Sequence, residues 1–160
     1  MITGVMETAL TVGDMARSLA FYRDLLGLRV IDEKGDRSPM SAQEQARWHA
    51  YHEQVCGIPG ARIHVVLLEA PDGSKLELIE YTAPKAPPPV RRALSDPGVA
   101  LVAFSLRDSV AVVRRLREAG VEVVADPVRY VLDGVTSYTT YLYDPDGNAL
   151  CLFEIVEAGR

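Results

Sequence analysis

The chain repeats itself. Pro71-Asp72-Gly73 leads into Leu76-Glu77-Leu78-Ile79-Glu80, and Pro145-Asp146-Gly147 leads into Leu150-Cys151-Leu152-Phe153-Glu154, at one constant offset. Upstream, the run from Ala9 to Asp14 is echoed by the run from Ala103 to Asp108, and each opens a helical pattern that a glycine closes, Gly27 in one case and Gly120 in the other. A chain of 160 residues built this way must solve one folding problem twice. Neither half can bury the apolar face of a curved sheet alone, so the halves are expected to pair, within one chain or across two.

Periodicity gives each half the order βαβββ, which makes the fold class α+β. In the first half, Glu7 to Val12 alternate as a strand, and Asp14 caps a helix carried by Met15, Leu19, Tyr22 and Leu26. Strands are predicted at Leu28 to Asp32, Ala61 to Glu69 and Lys75 to Tyr81, the last two around a turn at Pro71-Asp72-Gly73. Between the first and second of these strands lies an insert at about 41–56. Ser41 and Glu44 make a capping pair there, and Trp48, Tyr51 and Val55 form an apolar stripe, so a helix docked on the body of the domain is expected. In the second half, a strand at Ala100 to Leu106 precedes a helix capped by Asp108, with Val112, Val113, Leu116 and Ala119 as its inner stripe. Strands at Val121 to Ala125, Thr136 to Tyr143 and Ala149 to Val156 complete it, with turns at Asp133-Gly134 and Asp144 to Gly147. The proline-rich stretch at 84–97 reads as a linker joining a first module at about 5–83 to a second at about 98–157.

A net charge of -5 supplies no basic footprint, so nucleic acid is excluded as an expected partner. No apolar stretch approaches the length of about 18 residues that spans a bilayer, and no membrane partner is expected. Cys56 and Cys151 show neither a disulfide framework nor metal-type spacing, which fits a reducing, cytoplasmic setting.

Taken together, several motifs resemble the vicinal oxygen chelate superfamily, the glyoxalase, bleomycin-resistance and dioxygenase type. They are Thr11-Val12-Gly13-Asp14 with Ser18 and Phe21-Tyr22, the helix end Leu25-Leu26-Gly27-Leu28, the strand Leu76 to Tyr81, and Asp144-Pro145-Asp146-Gly147-Asn148. The resemblance implies cupped, mixed sheets of eight strands around a ligand cavity, with helices on the convex side. It leaves the reaction open, since such folds host many chemistries. In metal-dependent members, four strand positions supply His and Glu ligands. Carried onto this sequence those positions are Glu7, Glu77, Leu101 and Cys151, and only Glu77 keeps the usual form. Leucine donates nothing to a metal, so the expectation is a site with no metal and no cofactor.

Strand parity puts Glu7 and Glu77 on the face opposite the apolar set Leu10, Val12, Leu76 and Leu78. An inward carboxylate must reach water, take up a proton, pair with an arginine such as Arg62 or Arg129, or meet a ligand. Glu77 and Glu7 are therefore the candidate catalytic pair. Leu101 and Cys151 are expected to wall the site, Cys151 as an apolar filler. Trp48, Tyr51 and His52 are candidate ligand contacts from the insert helix acting as a lid. Tyr138 and Tyr141 are aromatic candidates in the second half, on opposite faces of their strand. His49, His52 and Glu53 share a helix edge and read as a polar surface, and His64 reads as a hydrogen-bonded packing histidine. The expected partners are a small-molecule ligand and a second copy of the chain in a homodimer. Two functions follow: a metal-independent isomerase or lyase using carboxylate acid-base chemistry, or a protein that sequesters a drug-like compound. A metal-dependent glyoxalase or dioxygenase-like enzyme ranks third.

Overall fold

The computed structural model describes residues 1–88 and 90–156, so Pro89 of the expected linker and residue 157 at the expected end of module two lie outside the described residues. The chain divides into two compact units, Met1–Pro89 and Val90–Arg160. Each builds a four-stranded mixed sheet.

In the first unit, β1 (Thr8–Val12) leads to α1 (Met15–Leu19), which relaxes into a π-helical turn over Ala20–Leu25. β2 (Arg29–Gly35), the insert helix α2 (Ala42–Cys56), β3 (Arg62–Glu69) and β4 (Lys75–Ala83) follow, and the sheet order is β1-β4-β3-β2. β1 runs parallel to β4, and the other pairs are antiparallel. Leu10, Val12, Leu76 and Leu78 are all buried, as alternation requires of the face that α1 covers. Asp14 caps α1 by accepting from the Arg17 amide, and Gly27 takes the left-handed conformation at φ 83°.

The second unit repeats the plan with β5 (Leu101–Ser105), α3 (Ser109–Glu118), β6 (Val128–Leu132), β7 (Val135–Tyr143) and β8 (Ala149–Val156), in sheet order β5-β8-β7-β6. α3 buries Ser109, Val113 and Leu116, while Val112 is half-buried and Ala119 is exposed, so the inner stripe is narrower than the sequence pattern implies. The expected strand at Val121 to Ala125 is absent. That stretch meets β7 through one bridge between Val123 and Leu142 and through a hydrogen bond that the Thr140 hydroxyl donates to the Ala125 carbonyl, and the strand beside β7 is β6 instead. The Asp133-Gly134 hairpin decides this. With φ of 49° and 80° at its two central residues it folds Leu132 directly onto Val135, so β7 pairs with the segment immediately before it.

A shared device sets the helix after the first strand of each unit. Glu80 on β4 is buried and accepts from the Met15 amide at the start of α1, and Glu154 on β8 accepts from the Asp108 and Ser109 amides at the start of α3. A carboxylate at a helix N-terminus satisfies free amides and complements the helix dipole. Glu80 also pairs with Arg37 and with Lys85, which ties the loop before α2 and the start of the linker to β4. The linker is not wholly free on the other side either, since the Arg91 guanidinium lies 3.7 Å over the Tyr143 ring and pairs with Glu122.

Candidate functional site

Glu77 stands in the middle of β4, opposite Ala9 on β1 and Leu67 on β3. Its face carries Ile79 and Tyr81 further along the strand, with Val65 and Ile63 as their partners on β3. Glu7 immediately precedes β1, and its carboxyl lies beside that of Glu77. Burial first, and then the adjoining Glu7 carboxyl, push the Glu77 carboxyl up from 4.5 to about 7. A half-buried acid among leucine, isoleucine and valine holds its proton because the charged form has lost water and faces a second carboxylate. Neither carboxylate pairs with Arg62, whose guanidinium goes to Asp36 at 2.9 Å.

α2 begins with the capping box foreseen from Ser41 and Glu44. It docks differently from the apolar stripe read in the sequence. Tyr51 and Val55 are exposed, and only Trp48 of the three is half-buried. The anchor is His49. Its Nδ1 accepts from the Ile63 amide at 3.3 Å, which leaves Nε2 to donate to Asp36 at 3.0 Å. Asp36 also accepts from Arg62 and from Thr82. Burial works against this carboxylate's charge, but the hydrogen bonds from Thr82, Arg62 and His49 outweigh it and hold the group at about 2. The Ile63 amide near the start of β3 and the Asp36 carboxylate just after β2 thus hold the helix through polar contacts. At its far end Cys56 lies beside Tyr81, and burial together with that thiol pushes the phenol up. Alternation along β4 puts Tyr81 on the face of Glu77, so this end of α2 belongs to that face and α1 to the other. Trp48, Tyr51 and His52 form an aromatic group on α2, with ring centroids 4.1 Å apart for Trp48 and His52 and 4.9 Å apart for Tyr51 and His52. The Trp48 Nε1 is buried without a partner among the described residues.

In the second unit, Cys151 faces Ala103 and Tyr141 across the ladder, the same relation that Glu77 has to Ala9 and Leu67. Cys151 is buried, and burial pushes its thiol up, which favours the neutral, unreactive form. Leu101 is exposed at the head of β5. Tyr138 lies opposite Glu154, on the side of α3, and so does not share a face with Cys151 and Tyr141. His64 is buried with Nε2 2.7 Å from a Glu33 carboxylate oxygen, the packing role that its mid-strand position indicated. Tyr81 was not among the candidate residues, and the signal for it is its spacing of two and four from Ile79 and Glu77 along β4.

The donor set bears on a metal. Of the four positions two hold carboxyls, one of which, Glu77, has raised proton affinity, the equivalent positions of the second unit hold leucine and a neutral thiol, and no cluster of three or more His, Cys, Asp or Glu side chains is placed to hold a metal ion among the described residues. These residues do not fit the metal centre that the fold family implies.

Comparison with known proteins agrees with the geometry. The profile of the Glyoxalase/Bleomycin resistance protein/Dioxygenase superfamily matches residues 4–152. Among solved structures, a glyoxalase family protein from Bacillus cereus shares 19% identity at a TM-score of 0.79, over 98% of this chain and 96% of that one. A glyoxylase/bleomycin resistance protein/dioxygenase domain from Frankia sp. EAN1pec shares 18% at 0.66, over 99% and 96%. A mutant of the fosfomycin resistance protein FosX from Listeria monocytogenes, complexed with Mn(II) and 1S,2S-dihydroxypropylphosphonic acid, shares 17% at 0.59, over 95% and 92%. No curated protein sequence matches. The fold and its two-module plan define a vicinal oxygen chelate protein. The chain belongs to the Glyoxalase/Bleomycin resistance protein/Dioxygenase superfamily. No helix among the described residues is long and apolar enough to cross a membrane.

Proposed function

We propose that this protein is a metal-independent enzyme that moves a proton to and from carbon next to a carbonyl group, in an isomerisation, epimerisation, cyclisation or elimination. The observation that supports it is the Glu7–Glu77 pair, in which Glu77 is held at about 7. A general base works best with a pKa near the working pH, where it is both available and basic enough. Glu77 in its ionised form takes the proton from the carbon acid, and Glu7 is the partner that keeps the resulting acid poised to return it. Trp48, Tyr51 and His52 on α2 are the aromatic ligand contacts of this reading in the first unit; taken by itself, the second unit carries Leu101, Cys151 and Tyr141 on the equivalent face of its own sheet. FosX is complexed with Mn(II) in its structure, but the positions carried over here lack that donor set, so this reading assigns the proton transfer to the carboxyls alone. Two free cysteines support a cytoplasmic setting.

A sequestering role has one specific support. Beside Glu77 the face is apolar, through Val65, Leu67 and Ile79, and carries a phenol at Tyr81. Such a surface holds an aromatic compound with the carboxyls as polar anchors. The deciding experiment is uptake of solvent deuterium at carbon in a panel of ketones, keto acids and hydroxy-carbonyl compounds, with chelator-treated protein. Glu77→Gln should keep the fold and lower exchange by about 10²- to 10⁴-fold, because an amide accepts no proton, and Glu7→Gln should lower it less. Tight binding of a compound that never exchanges or changes mass would transfer the protein to the sequestering class.

A further inference from the structure

We infer that Tyr81 is a specificity residue of this site, and that the compound taken up is an extended, uncharged ketone with its reacting carbon at Glu77 and an oxygen-bearing aromatic ring at Tyr81. The inference rests on the proton-transfer reading above and adds to it the class of compound. Glu77, Ile79 and Tyr81 share one face of β4, and all three are half-buried. At about 3.3 Å per residue, the α-carbons of Glu77 and Tyr81 lie about 13 Å apart, so a molecule that touches both side chains has to be extended. α1 covers the other face of this sheet, yet Ile63 and Val65, the β3 partners of Tyr81 and Ile79, are buried. Their cover is α2, which packs on β2 and β3 and leaves the row on β4 half-open as a slot.

The end of that slot is built for an acceptor on a ring. Trp48, His52 and Cys56 recur every four residues of α2, so they form one row, and the row ends beside Tyr81. Among the described residues the Cys56 thiol is the group beside the Tyr81 hydroxyl. That thiol donates its own hydrogen to the His52 carbonyl at 2.7 Å, which leaves only sulfur lone pairs, a weak acceptor, for the phenol. Burial and the thiol push the phenol up, so it keeps its proton and can donate. An oxygen on a ligand is the better acceptor, and the half-buried Trp48 and His52 rings, 4.1 Å apart between centroids, offer an aromatic surface beside it. Charge argues against an anion here. Lys34, Arg29 and Arg62 are held by Asp32, Glu69 and Asp36, Lys75 lies beyond Glu77 on the side away from Tyr81, and the two glutamates would repel an anion. A carboxylate or phosphate desolvated beside Tyr81 would lack a counter-charge.

Trp48 is the one tryptophan of the sequence, so its fluorescence reports binding at this end of the slot. The probes are methyl ketones with a para-methoxyphenyl ring on methylene chains of increasing length, each matched to a plain phenyl and a para-carboxyphenyl ketone. Reaction is read in the same samples by uptake of solvent deuterium at carbon. The methoxyphenyl ketones should bind best at one chain length, and the carboxyphenyl ketones at least about tenfold more weakly. Tyr81→Phe should weaken the methoxyphenyl ketone by about 2- to 12-fold, the value of one hydrogen bond, weaken the plain phenyl ketone less, and raise KM more than it lowers kcat. Equal weakening of the two, carboxyphenyl ketones bound as tightly as methoxyphenyl ones, or binding by no member of the series would overturn the inference. Should Tyr81→Phe fail to fold, the matched probes on the unaltered protein decide alone. Binding with this selectivity but without deuterium uptake would support the assignment of Tyr81 while refuting the proton-transfer reading.

Discussion

Replacing Glu77 by glutamine should make the protein more stable at pH 8 and leave it nearly unchanged at pH 5. The folded chain binds a proton at Glu77 more tightly than the unfolded chain does, with the group moved from 4.5 to about 7. Its contribution to stability is complete below pH 4.5 and is lost as pH rises through about 7. At about 1.36 kcal/mol for each tenfold change in proton affinity, the full displacement corresponds to about 3.4 kcal/mol. Glu77 is only half-buried, and water screens part of this, so about 1 to 2 kcal/mol is the expected effect. Glutamine has the shape of the protonated acid and no charge to desolvate. Above pH 7 it should therefore recover that amount, which for a chain of this size raises the melting temperature by about 2 to 8 °C. Thermal or urea unfolding of both proteins at pH 5 and pH 8 measures the difference. An equal offset at the two pH values would show that the amide changes packing alone, and a lower stability at pH 8 would show that the Glu77 carboxylate is stabilised. Either result removes the proton-holding pair on which the proposed chemistry rests.

Elemental analysis of the purified protein should find no stoichiometric transition metal, and chelators should leave ligand affinity or turnover intact; one tightly held Zn²⁺, Ni²⁺, Fe²⁺ or Mn²⁺ per chain would refute this. Trp48→Ala should weaken ligand binding, read by calorimetry, more than it lowers the melting temperature, because α2 is anchored by His49 to Asp36 and Ile63 and not chiefly by its aromatic residues. Gly35→Ala should destabilise the first unit by more than about 3 kcal/mol. Gly35 adopts φ 85°, and an added Cβ would lie 2.0 Å from the Ile63 carbonyl oxygen and 2.9 Å from Trp48 Nε1. Urea unfolding measures that cost, and a near-neutral result would mean that β3 and α2 can both shift away from β2 at Gly35 without loss.

Much of the plan was legible in the sequence, since it depends on local chemistry. Alternation along Leu76 to Tyr81 sorted the residues by face, capping residues Asp14, Ser41 and Asp108 began the helices where side-chain oxygens can meet free amides, and glycines ended turns at positive φ. The same parity put Glu7 and Glu77 on one face, and the resemblance to the vicinal oxygen chelate superfamily supplied Leu101 and Cys151 as the matching positions of the second half. What the sequence misplaced depended on partners distant along the chain. Val121 to Ala125 alternate as well as many strands do, yet a strand exists only where a neighbour offers a ladder, and β7 had already been taken by β6 through a two-residue turn. The stripe of Trp48, Tyr51 and Val55 indicated an apolar dock, whereas the surface that α2 meets presents an amide and a carboxylate, which His49 satisfies. Glu80 and Glu154 looked like ordinary strand carboxylates, and only the crossing of each strand under a helix N-terminus gave them amides to hold. The proton affinity of Glu77 is of the same kind. Sequence placed the two carboxyls on one face, but the desolvation and contact that hold Glu77 at about 7 exist only when β1 lies against β4, because charge repulsion and lost hydration are set by separations in space.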